Sequence, residues 1–219
     1  MKNHRLTNVT AIMTIFVVLL LSPFGWSSSA LADDVVEHKE VSTFNGLSQA
    51  VVRNLILVYQ IGKEVLGKPE YLQSIMMQES KGVSGLIGNK SAPPSKRSYG
   101  LMQVQIPSAR SILRSNDEVM DRYFPNRSIK SVKDGEIERL LLRNDEANVR
   151  IAAYHYKRDL NDSRGNVDRS LASYNLGSGG VQRIRNYAKF PYVVGVKNQL
   201  KRIVQPFNAF YERTLTPSE

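Results

Sequence analysis

Leu47, Val51, Leu55, Val58 and Val65 recur at the three-to-four-residue spacing of one helix face. The pattern predicts a helix over 45–66 that Gly67 stops. Pro69 suits the first turn of a second helix running to Ser80, with Leu72, Ile75 and Met76 on one stripe. From Gly82 to Ser98 the period is lost among glycines, serines and Pro93-Pro94, the mark of a long surface loop of the kind that often serves a binding site. Leu101 to Ile106 alternates briefly as a short strand or irregular turn, and Pro107 opens a helix to Arg114. Helices over 134–142, 145–160, 167–176 and 180–187 follow, joined by short polar turns. Pro191 starts a last helix whose apolar face, Tyr192, Val196, Leu200, Ile203, Phe207 and Phe210, carries a kink at Pro206. The expected fold class is mainly α, one compact helical domain over 45–213 with at most a very small β element. No fixed-period repeat is present, which argues against a solenoid.

Upstream, Lys2 and Arg5 precede an apolar run of 13 residues from Val9 to Leu21, and Ala30-Leu31-Ala32 has the small-x-small form of a cleavage site. The run is short of the ~20 residues of a spanning helix. Residues 1–32 therefore read as a cleaved signal peptide, which places the protein in the periplasm or cell envelope. Residues 33–44 read as a flexible lead and 214–219 as a tail.

The 219 residues include no cysteine, which excludes thiol nucleophiles, iron-sulfur clusters and thiolate zinc sites. The three histidines, His4, His38 and His155, are too scattered for a metal cage, and no serine stands in a G-x-S-x-G elbow. Carboxylates, amides and tyrosines remain as working groups. Removing residues 1–32 takes away two basic and no acidic side chains, leaving 28 basic against 20 acidic. An exported basic protein meets the anionic polymers of the envelope rather than nucleic acid.

On the second helix, the position seven residues beyond Leu72 on the apolar stripe is Glu79. A carboxyl on a core-facing stripe either finds a partner or keeps its proton toward neutral pH, and a kept proton can be donated to a glycosidic oxygen. A half-exposed Glu79 at the helix end, paired with Lys81 or an arginine, fits the stripe equally well. The dense charges of Lys130 to Arg150 read as a solvated helix face. Gly177-Ser178-Gly179-Gly180 follows a helix rather than a strand, which argues against a phosphate loop.

Glu79-Ser80, then Gly100-Leu101-Met102-Gln103, then Asn148-Val149-Arg150-Ile151-Ala152-Ala153, then Ala172-Ser173-Tyr174-Asn175-Leu176-Gly177, then Tyr192-Val193 stand in one order over about 120 residues. This series resembles the soluble lytic transglycosylases, of the small single-domain type with a lysozyme-like fold. The chain departs from the family pattern at Ala152, where glycine is usual, and at His155-Tyr156, where Tyr-Leu is usual. Ser173 and Leu176 likewise replace small alanines. The resemblance implies that Glu79 is the single acid/base. It implies that Ser80 bonds near it or near the sugar, and that Met102 and Gln103 line a substrate groove. Tyr174 would orient the Glu79 carboxyl, Asn175 would hold the loop or the substrate, and Tyr192 would close the site.

The implied reaction splits the bond between N-acetylmuramic acid and N-acetylglucosamine in peptidoglycan and forms a 1,6-anhydro end, with no metal and no organic cofactor. Hydrolysis by retention or inversion uses two carboxyl groups. Asp117, Glu118, Asp121, Asp134, Asp145 and Asp162 all lie in polar stretches, and none marks itself as the second. A hydrolytic muramidase of the goose-lysozyme kind and a non-catalytic wall-binding protein are the alternatives. The expected partners are peptidoglycan glycan strands, with an envelope-spanning secretion or conjugation complex as a further class implied by the resemblance, no nucleic acid, and a monomeric state.

Overall fold

The computed structural model describes residues 44–215, so the leader, the lead before Phe44 and the last four residues lie outside the described residues. Helix α1 (Gln49–Leu66) begins later than the apolar period predicts. Asn45 and Gly46 both take positive φ, which folds the chain into a turn that bridges Phe44 to Leu47. Ser48 then caps the helix by accepting from the Val51 N–H, and Gly67, left-handed at φ 72°, ends it. Phe44 packs on Phe207 and Phe210, each with ring centroids 5.5 Å away.

Helix α2 (Glu70–Glu79) buries Leu72, Ile75 and Met76 completely. The long loop that follows is not without structure. Its β1 (Ile87–Gly88) pairs antiparallel with β2 (Ser98–Tyr99), which pairs with β3 (Val104–Gln105). Ile87 faces Tyr99, and Tyr99 faces Val104. Strands of two residues are too short to show an alternating period, which explains why the sequence reads as loop over most of this stretch.

Helix α3 (Ile106–Ser115) has Pro107 in its first turn, and α4 (Asp117–Tyr123) follows in a stretch the apolar period does not mark. Then come α5 (Asp134–Arg143), α6 (Asp145–Asp162) and α7 (Val167–Val181). The helix expected over 180–187 does not form. Instead α7 runs past Leu176 to Val181 through a break at Gly177 (φ 72°, ψ 168°), and a 3-10 turn occupies Tyr187–Lys189.

Helix α8 (Pro191–Gln199) is followed by a π turn at Leu200–Val204 and by α9 (Gln205–Leu215). The break in the last helix thus precedes Pro206. A π turn has already interrupted the i to i−4 ladder, so a residue without an N–H is tolerated just after it.

The molecule is mainly helical. Helices α1, α2, α6, α7 and α8 pack on one another around a shared apolar core. Two polar devices lie within it. Gln73 of α2 and Asn208 of α9 exchange amide hydrogen bonds of 3.0 and 2.8 Å, so both groups are buried without loss. Arg150 of α6 has a nearly buried side chain that bonds Glu64 of α1 through both terminal nitrogens, at 2.6 and 3.0 Å, and Glu146 through Nε at 2.8 Å. The expectation of a purely solvated face over 130–150 is therefore corrected at Asn148 and Arg150, which the core takes up. Among the described residues no helix is long and apolar enough to cross a membrane.

Candidate active site

A groove of about 560 Å³ opens between the end of α2, the β2–β3 turn, α3, α6 and α7. Glu79, the last residue of α2, lies in its wall. Burial pushes the Glu79 carboxyl above the usual carboxylate range. A hydrogen bond from the Tyr192 hydroxyl to Oε1, 2.6 Å long, favours the ionised form and opposes part of that rise. Among the described residues no Lys or Arg pairs with Glu79. The stripe leaves a paired surface glutamate open, and the geometry does not supply that partner.

The two tyrosines differ from their expected parts. Tyr192 of α8, buried against α2, holds the carboxyl. Tyr174 of α7 donates instead to the Met102 carbonyl oxygen at 3.0 Å, and burial, helped by the Glu79 charge, raises its hydroxyl well above the usual tyrosine value. Its ring rests beside His155, with centroids 5.1 Å apart. The difference follows from packing: α8 lies directly on α2, whereas α7 lies on α6 and faces the β2–β3 turn.

Met102 does not line the groove. Its side chain is fully buried, and its backbone does the connecting: the N–H donates to Asn148 Oδ1 at 2.7 Å while the carbonyl accepts from Tyr174. Asn148 also donates from Nδ2 to the Tyr99 and Leu141 carbonyls at 2.8 and 3.1 Å. One buried amide thus fixes the turn from Gly100 to Gln103 against α5 and α6. Gly100 is required there. It has φ 74°, and a Cβ would collide with the Leu141 carbonyl oxygen and the Asn148 amide, so its close approach is to protein.

Gln103 lines the groove as expected, held by Ser98 Oγ donating to its Oε1 (2.7 Å) and by its own Nε2 donating to the Gly100 carbonyl (2.8 Å). Ser80 is turned away from the groove. Its hydroxyl donates to the Met76 carbonyl and accepts from the Gly82 N–H, which fixes the chain as it leaves Glu79. Asn175 is exposed in the groove wall, and its side chain makes no hydrogen bond among the described residues. It is free to meet a ligand.

The groove also takes ionisable residues of α6 not expected there: His155, Arg158, Asp159 and Asp162. Asp159 is 4% exposed, its Oδ2 accepts no hydrogen bond among the described residues, and His155 Nε2 lies 3.6 Å from that oxygen. Burial raises the Asp159 carboxyl to about 6 and lowers the His155 imidazole to about 4. The signal that marks Glu79 marks Asp159 too, since it stands seven residues beyond Ala152 and three beyond Tyr156 on a buried stripe. Among the described residues no three His, Asp or Glu side chains converge as a metal site.

The arrangement can hold a proton on Glu79 beside an open cleft and offers a further, buried carboxyl, Asp159, in the same groove. No family model, curated protein or solved structure matches the chain.

Proposed function

We propose that the protein is a peptidoglycan lytic transglycosylase with a lysozyme-like domain and that it acts in the periplasm or cell envelope. One observation carries the reading: Glu79 lies in a groove wall, where burial raises its pKa, and its partner is a neutral hydroxyl 2.6 Å away rather than a cation. A carboxyl so placed is an acid before the reaction and a base after it.

In the proposed step, Glu79 gives its proton to the oxygen joining N-acetylmuramic acid to N-acetylglucosamine. The C1–O bond breaks, and its electron pair stays with the departing oxygen. The C6 hydroxyl oxygen of the muramyl sugar then bonds to C1, and its proton returns to Glu79. No water is consumed, and one carboxyl is enough. Tyr192 holds Oε1 in place and stabilises the carboxylate between the two proton transfers. Gln103 and Asn175, on two walls of the groove, are placed to meet the saccharide.

A second reading, a hydrolytic muramidase, is favoured by Asp159, a second buried carboxyl in the same groove, since hydrolysis employs a pair. Mass spectrometry of the muropeptides released from peptidoglycan separates the two. Anhydro ends, each lighter than a reducing end by one water, are the expected result. Reducing ends would select the hydrolase, and a bound but uncut polymer would overturn both.

A further inference from the structure

The positive charge of the chain is unevenly placed. From Arg169 to Tyr211 there are seven basic residues and no acidic one, whereas the rest of the chain after residue 32 holds 21 basic against 20 acidic. Outside this stretch several cations are paired, as in Arg110–Asp134, Arg127–Glu136 and Arg150–Glu64. Within it, among the described residues, only Lys197 is paired, with Asp168. Arg183, Arg185 and Lys189 are exposed and form no ion pair among the described residues.

These three stand in the connection between α7, which lines the groove, and α8, which bears Tyr192. Asn175 to Ser178 line it, and Arg183 follows Ser178 by five residues, so their Cα atoms are no more than about 18 Å apart. Lys189 closes the 3-10 turn that packs on α7 and α8, three residues before the Tyr192 that holds Glu79. The α7–α8 connection is thus a cationic lip.

The groove has the opposite character. Its ionisable residues include the three carboxyls Glu79, Asp159 and Asp162 and the single cation Arg158. A uniformly anionic polymer laid along it would meet those carboxyls. A neutral backbone with anionic branches suits both surfaces, the backbone beside the carboxyls and the branches across the lip.

We propose that Arg183, Arg185 and Lys189 bind the carboxylates of short peptide branches carried by the glycan in the groove, an inference that rests on the glycan reading above. The lip then sets a preference for peptide-bearing strands over strands whose peptides lack free carboxylates.

The test compares two probes, insoluble peptidoglycan and the same material with its peptide carboxyls converted to amides. Binding is measured by co-sedimentation in the Glu79→Gln background, with the lip intact or carrying Arg183→Gln, Arg185→Gln and Lys189→Gln together. With the lip intact, unmodified material should bind about tenfold tighter than amidated material at low ionic strength, and the gap should close by about 0.3 M salt. The triple variant should bind both alike and melt at the same temperature as its parent, because all three side chains are exposed.

A triple variant that keeps the preference overturns the assignment, and equal binding by the intact lip overturns the preference itself. Cleavage is followed separately with Glu79 present. Product ends released without any preference overturn the lip alone. A preference with no ends released overturns the cleavage reading and leaves the lip standing, and no binding to either probe overturns both.

Discussion

Glu79 and Tyr192 form the shortest chain of cause at the groove, from a half-buried carboxyl to the hydroxyl that fixes it. Replacing Glu79 with Gln keeps the shape and removes the acid, so release of soluble muropeptides should fall by about 10³-fold while sedimentation with peptidoglycan persists. Tyr192→Phe deletes a bond that favours the carboxylate. The acid should then hold its proton more tightly, and the alkaline limb of the pH–rate profile should move upward. Tyr174→Phe should leave that limb in place and lower stability by about 1 kcal/mol, because its hydroxyl serves the Met102 carbonyl. An identical limb shift in both variants would refute the division of roles. The His155–Asp159 pair gives a sign test. Between pH 4 and 6 the folded pair holds its proton on Asp159, whose pKa is raised to about 6, rather than on His155, lowered to about 4. The unfolded chain holds one proton too, on histidine, so the contributions of the pair cancel across that window. His155→Gln leaves only the raised carboxyl, which binds more protons folded than unfolded, and stability should fall as pH rises from 4 to 6. Asp159→Asn leaves only the lowered imidazole, and stability should rise over the same range. Melting temperatures at three pH values in each variant decide it. Glu79 is legible in the sequence, because it interrupts an apolar stripe; Asp159 carries the same signal on α6 but is not singled out from it. Which tyrosine reaches Glu79 is not legible, because that depends on how α7 and α8 lie against α2.

At the scale of elements, the turn from Gly100 to Gln103 has too few residues to hold its own shape and borrows it from Asn148. Three backbone groups, the Met102 N–H and the Tyr99 and Leu141 carbonyls, bond to that one buried amide. Asn148→Ala should therefore cost about 3 kcal/mol, more than the loss of one ordinary hydrogen bond, as read by urea denaturation. Activity should fall with it, since Gln103 and the Tyr174 anchor belong to the same turn. A loss under about 1 kcal/mol would mean that water replaces the amide without strain. The longer helices are legible from their apolar period, and their ends from residues such as Ser48 and Gly67 that have a physical reason to stand there. Strand β3 falls within the brief alternation of Leu101 to Ile106, and the Gly177 break falls at the end of the helix read over 167–176. Strands β1 and β2 and the π turn are not legible. Each is decided by packing over a few residues, and Pro206, the visible breaker, sits just beyond the true irregularity.

Over the whole molecule, distant segments meet through polar groups inside an apolar core. Net charge is legible in the sequence, but the pairing of Arg150 with Glu64 across 86 residues is not, because a charge pattern does not say which cation the core will take in. The reciprocal Gln73–Asn208 pair belongs to the same scale. Asn208→Ala should leave the Gln73 side-chain Oε1 buried and unpaired, lowering stability by about 2 kcal/mol in urea while the rate of cleavage at low temperature stays unchanged. The pair also orders events in time. A ribosome delivers Gln73 well before Asn208, which follows 135 residues later, so the helix bearing Glu79 cannot settle with its polar groups satisfied until α9 has been made. The groove thus waits on a segment that is made long after the helix carrying its carboxyl.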